Sequence, residues 1–149
     1  MKCQLTKLCK FVSKATESLK DIPLLAMRLV LAYGFFGPAT MKWNDINAIG
    51  DWFGSMGMPF PLVNAYMAGI IEMGGVFLLI FGFGTRLISI PLIVTMLVAI
   101  FMVHSGNGFE AGKNGFEIPL YYLIMLFTLT VYGPGRLSVD NLIKTLRGK

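Results

Sequence analysis

Four apolar stretches dominate the chain, at residues 22–41, 62–83, 87–103 and 118–132. A bilayer core ~30 Å thick takes about 20 helical residues to cross. The first two stretches meet that length outright, and the other two draw in flanking residues such as His104 and Glu117. Composition agrees. The chain is 55% hydrophobic and 14% charged, with a mean hydropathy of +0.68, whereas soluble domains are about 25% charged. The expected fold is therefore all-α: an antiparallel bundle of four transmembrane helices with short interfacial amphipathic helices. The first stretch is too long for a signal-peptide core and lacks a small-x-small cleavage site, so it is expected to persist as the first span. The joint "GFGTR" between the second and third spans is only a tight turn, which makes them an antiparallel hairpin.

Charge gives the orientation. Ten of the 13 Lys and Arg residues lie in the N-terminal tail, the middle turn (Arg86) and the C-terminal tail. The two other loops hold only Lys42 and Lys113. The positive-inside rule then places both termini in the cytoplasm. The net charge of +5 sits beside membrane segments and does not mark a nucleic-acid binder. Three regions follow: a cytosolic amphipathic tail (1–21), the transmembrane domain (22–133) and a cytosolic C-terminal tail (134–149). In the first tail, Leu5, Leu8, Val12, Ala15 and Leu19 recur at helical spacing opposite lysines, which describes an interfacial helix on an anionic leaflet; the alternative is a frayed, solvated tail. A second surface helix is expected around Ile46, Ile49 and Trp52, capped by Asn44 or Asp45 and ended by Gly57-Met58-Pro59, with Trp43 and Trp52 as interface anchors. "GPG" after Tyr132 stops the fourth span, and Ser138 caps a short final helix. Cys3 and Cys9, about 9 Å apart along a helix, are too far apart for a disulfide and read as ordinary thiols.

The ionisable residues inside the spans carry the functional question. Arg28 lies ~9 Å beyond the inner end of the first span, and Glu72 lies ~16 Å from the inner end of the second. The difference is within reach of an arginine. Glu72 shares a helical face with Ala65, Gly69, Val76 and Gly75, small residues that let a neighbour approach, so it should point inward. Intramembrane charges pair in bundle interiors, and Arg28 is expected to meet Glu72. The pair is either a functional polar site or an ion pair that fixes register.

A second group is expected at the opposite face. Lys42 projects from the same stripe as Arg28, His104 ends the third span, and Glu117 opens the fourth with Tyr121 one turn deeper. A cation, an imidazole, a carboxylate and a phenol at one height could bind and protonate a polar head group. Equally, each could simply meet water and lipid head groups at a helix end. No metal site is expected. The lone histidine cannot ligate a haem from both sides, and "MGM" at 56–58, although attractive to soft copper, reads as packing.

These residues also carry a resemblance. "RLVLAYGFFGPATMKW" and "EMGGVFLLIFGFGTRL" resemble the first two helices of the DoxX family. "MLVAIFMVH" and "GFEIPLYYLIMLFTLTVYGPGRLSVD" resemble its last two, including the Gly-Pro-Gly-x-x-Ser-x-Asp ending. Pro38 beside Gly37 departs from the pattern, and a kink there would shift Lys42. "FEAGKNGFEIPLYY" and "GPATMKW" are similar to the HvfX branch, whose members accompany enzymes that make modified, metal-chelating peptides. The resemblance implies a bacterial inner-membrane protein. It further implies membership of a thiol- or sulfur-linked oxidoreductase system that passes electrons to quinone, with a protein partner and an open question of homo-oligomerisation. On that reading His104, Lys42, Tyr121 and Glu117 serve the quinone head group, and Arg28 and Glu72 form an inner polar site. The alternative is a non-catalytic membrane anchor or assembly partner. A solute channel fits poorly, because Phe35 and aliphatic residues fill the stripe between Arg28 and Lys42.

Overall fold

The computed structural model describes residues 19–148, which contain helices and no strand. The expected interfacial helix of the N-terminal tail, built on Leu5, Leu8, Val12 and Ala15, lies outside the described residues. Helix α1 (Asp21–Asn44) is followed by the short α2 (Ile46–Ser55), α3 (Pro61–Phe81), α4 (Thr85–Val98), α5 (Glu117–Tyr132) and a final α6 (Val139–Arg147). Helix α4 continues without a break through a π-helical turn, Ala99–His104, and a 3₁₀ turn, Ser105–Asn107. Among the described residues, three helical runs are long and apolar enough to cross a membrane: Asp21–Asn44, Pro61–Phe81 and Thr85–Asn107. Helix α5, with 16 residues, spans ~24 Å at 1.5 Å per residue and is the short member of the bundle.

The chain turns where its residues permit. Gly82 and Gly84 both adopt positive φ, at 65° and 58°, and close the expected α3–α4 hairpin at a cost that only glycine avoids. Asp45, one of the two expected caps, accepts from the Ala48 N–H at 3.0 Å and starts α2. Ser138 accepts from the Asn141 N–H at 3.2 Å and starts α6. Helix α1 stays continuous through Pro38.

The four spans form a closed ring in which α1 packs on α3, α3 on α4, α4 on α5, and α5 back on α1. Each contributes to one core: Leu31 and Phe35, Val76 and Leu79, Leu92 and Met96, Leu126 and Leu129. Gly75 is small because a side chain there would meet Leu92 at 2.8 Å. Gly34 is small because the Tyr122 phenol lies against it. Large apolar side chains such as Tyr33, Leu87, Phe101 and Phe127 cover the outside. An apolar exterior of this extent matches hydrocarbon and not water. The bundle has two ends. One carries Asp21, the α3–α4 turn and α6 (the termini end), and the other carries α2 and the 105–116 loop (the loop end).

Candidate functional site

Three groups of polar side chains sit within or against this bundle, and their membership differs from expectation. Glu72 does point inward, only 3% exposed, on a buried face with Ala65, Gly69, Gly75 and Val76. Its partner, however, is Lys42 and not Arg28. The Lys42 ammonium lies 3.1 Å and 2.8 Å from the two Glu72 carboxylate oxygens, with the lysine side chain 13% exposed. The reason lies in helix direction. A Cα–Cβ bond tilts toward the N-terminus of its own helix. Helix α1 runs from the termini end to the loop end, so Lys42 leans down into the bundle. Helix α3 runs the other way, so Glu72 leans up to meet it. Arg28 leans down as well, away from Glu72. Comparing Cα depths alone overlooks this.

Arg28 is fully buried and anchors the termini end. One guanidinium nitrogen donates to the Leu79 carbonyl at 3.1 Å and lies 3.4 Å from that of Ile80. The other donates to the Leu137 carbonyl. The first two carbonyls belong to the last turn of α3, which carries the negative end of its dipole and lacks helical N–H partners. Gly82 must be glycine here, since a side chain would collide with the Arg28 guanidinium and with Ser138. Asp140 completes the fastening. Its carboxylate accepts from the Gly84 N–H at 2.9 Å and lies 3.3 Å from the Thr85 nitrogen, capping α4 from another part of the chain, while its own N–H donates to the Gly82 carbonyl at 3.1 Å. Asp21 accepts from the Arg136 N–H at 2.8 Å. The glycine turn and the "GPGRLSVD" tail therefore form one latch.

At the loop end, Tyr121 donates to one Glu117 carboxylate oxygen at 3.0 Å, and the Ala111 N–H donates to the other at 3.0 Å. Glu117 sits in the first turn of α5, where a helix dipole favours an acidic side chain. His104 Nδ1 lies 2.8 Å from the Asn114 carbonyl, which also accepts from the Asn107 side chain at 3.2 Å. The π-helical turn carries His104 to this loop; turns of this kind recur at functional sites. Tyr121 is 47% exposed, on the outer face of α5. Of the four residues expected to gather, His104, Glu117 and Tyr121 flank one loop. Lys42 leaves the group, because its ammonium is drawn inward by Glu72.

Trp43 and Tyr66 border the Lys42–Glu72 pair. Trp43 donates to the Gly69 carbonyl at 3.2 Å, and its ring meets Tyr66 edge-on with centroids 6.2 Å apart. Gly69 lets this happen, lying in ordinary contact distance of both Trp43 and the Lys42 stem. The residues missed from sequence are Asp140, as a cap, and Tyr66. Asp140 lies two residues past Ser138, which already caps its own helix, so its carboxylate is left for another element. Tyr66 gave no signal apart from its place two residues before Ala68-Gly69.

Comparison with known proteins places this architecture. The DoxX family model matches residues 23–105, which covers α1 through the π-helical turn. Two Haemophilus influenzae proteins, each described as an uncharacterized protein, are 35% identical over 127 residues (83% of this chain, 84% of theirs) and 36% identical over 130 residues (84% and 93%). A Bacillus subtilis protein described as "Putative oxidoreductase CatD" is 30% identical over 125 residues, covering 83% of this chain and 88% of its own. No solved structure matches.

Proposed function

The chain belongs to the DoxX family of membrane proteins, and from that premise we propose that it is the membrane subunit of a quinone-linked oxidoreductase system. The observation that carries this reading is the Tyr121–Glu117 hydrogen bond. It presents a half-exposed phenol on the lipid side of α5 and a carboxylate on the loop side. A quinone reaches a protein through the bilayer, whereas its protons come from water. A phenol backed by a carboxylate joins those two routes. While Glu117 is ionised, Tyr121 donates to it. Once Glu117 takes a proton from the loop side, it donates to the Tyr121 oxygen, and the Tyr121 O–H is then free to donate to a quinone carbonyl.

Each reduction takes two electrons from a partner redox protein and two protons through this pair, giving the quinol. His104 holds the loop that shields Glu117. Lys42 and Glu72 fix the α1–α3 seam beside Trp43. Arg28 serves the latch. The system lies in the bacterial inner membrane with both termini in the cytoplasm, as the lysine and arginine distribution supports.

The test is the quinone content of the chain extracted from its native membrane in mild detergent. Bound quinone is expected in the wild type, with most of it lost in Tyr121→Phe and in Glu117→Gln at unchanged thermal stability. A quinone-free wild type contradicts the reading. A second reading, a non-catalytic anchor or assembly partner for a separate enzyme complex, draws support from the Lys42–Glu72 pair, in which the two buried charges satisfy each other. Copurification of another enzyme with a quinone-free chain favours it.

A further inference from the structure

We propose that α6 is a lipid-binding element, seated on the anionic head groups of the leaflet at the termini end. The helix is strongly two-faced. Val139, Leu142, Ile143 and Leu146 fall on one side by helical spacing, with Arg147 at its edge and Lys144 on the opposite, polar face. The described bundle covers only part of the apolar side: Val139 and Ile143 are half-buried, whereas Leu142 is 58% and Leu146 66% exposed. The helix is nevertheless not adrift. Arg28 holds the Leu137 carbonyl just before it, Ser138 caps it, and Asp140 ties its first turn to Gly82, Gly84 and Thr85. Its exposed Leu142 and Leu146 are thus held in a fixed orientation at the edge of a membrane-spanning bundle.

Charge identifies the occupant. The carboxylates of this end among the described residues are already engaged, Asp21 with Arg136 and Asp140 with the α4 N-terminus. Among the described residues, neither Lys144 nor Arg147 has a carboxylate partner. An apolar stripe on a helix whose polar face and edge carry uncompensated cations fits acyl chains beneath a negatively charged head-group layer. Because Asp140 belongs both to α6 and to the cap of α4, a lipid grip on α6 also tightens the α3–α4 turn.

The test uses the full chain in nanodiscs of phosphatidylcholine, with and without phosphatidylglycerol. Native mass spectrometry reads the retained lipid, and hydrogen exchange reads the α6 amides. The wild type is expected to retain phosphatidylglycerol preferentially and to show slower α6 exchange when it is present. Lys144→Gln with Arg147→Gln is expected to weaken that preference roughly thirtyfold at low salt, from about 1 kcal/mol per basic residue near an anionic surface, while leaving the spans folded. Leu142→Ser with Leu146→Ser is expected to speed α6 exchange in both lipids. A wild type without lipid preference, or a Lys144/Arg147 double variant that keeps it, overturns the proposal. So does α6 protection that rises with protein concentration, which would point to a second copy. Protection lost on deleting residues 1–18 in both lipids alike would give the apolar side to the chain's own tail, and likewise overturns it.

Discussion

Lys42 and Arg28 lie fourteen positions apart on one stripe of α1 and share a direction, yet they do opposite things with their charge. Lys42 meets a carboxylate, whereas Arg28 meets the carbonyls of Leu79, Ile80 and Leu137. A guanidinium spreads its donors in a planar fork and can serve several carbonyls, and an ammonium concentrates its charge on one anion. The Lys42–Glu72 pair makes a quantitative prediction. Replacing either residue alone by methionine leaves a buried charge without its partner and should cost about 3–5 kcal/mol, whereas the double replacement should cost much less. A double-mutant cycle on unfolding in detergent measures this. Additive losses would contradict the pairing. That both residues face inward could be read from the sequence, through the small residues around Glu72 and the stripe on α1. The choice of partner could not, because it depends on which way antiparallel helices tilt their side chains.

Among the elements, the latch at the termini end does what no single helix could. Helix α4 begins at a glycine turn without a cap of its own, and Asp140 supplies one from another part of the chain. Asp140→Ala should cost about 0.5–2 kcal/mol, the usual range for a lost N-cap. Faster hydrogen exchange should appear at Gly84, Thr85 and along α6, with the loop end unchanged. Exchange that stays unchanged at Gly84 and Thr85 would remove Asp140 from this role. Elements with a local signal were legible: the hairpin at Gly82–Gly84, the Asp45 and Ser138 caps, and the Glu117 start of α5 all fall where sequence reasoning puts them. The π-helical turn at Ala99–His104 was not, since its residues are as apolar as those of an ordinary helix end. Asp140 was visible only as part of a motif, because its partners lie 55 and 56 residues away.

For the whole molecule, length and hydropathy were enough to indicate four spans, and the apolar exterior agrees with them. The grouping of the polar residues was less accessible. Lys42, His104, Glu117 and Tyr121 reach the same end of the bundle, yet the ring order α1–α3–α4–α5 assigns Lys42 to the α1–α3 seam and the other three to α4 and α5. Orientation belongs to this scale too. Reporter fusions at the two ends of the chain should both read cytoplasmic, and a periplasmic signal from either would reverse the account of which leaflet α6 meets. The proposal that the Tyr121–Glu117 pair serves a membrane-borne quinone is tested most directly by photolabelling. Membranes containing the chain would be irradiated with an azidoquinone and the labelled peptide mapped. The account predicts label on the first turns of α5, around Glu117 to Tyr121, competed away by unlabelled quinone and lost in Tyr121→Phe. Label that is spread over the lipid-facing surfaces of all four spans, and that ordinary quinone does not displace, would contradict it.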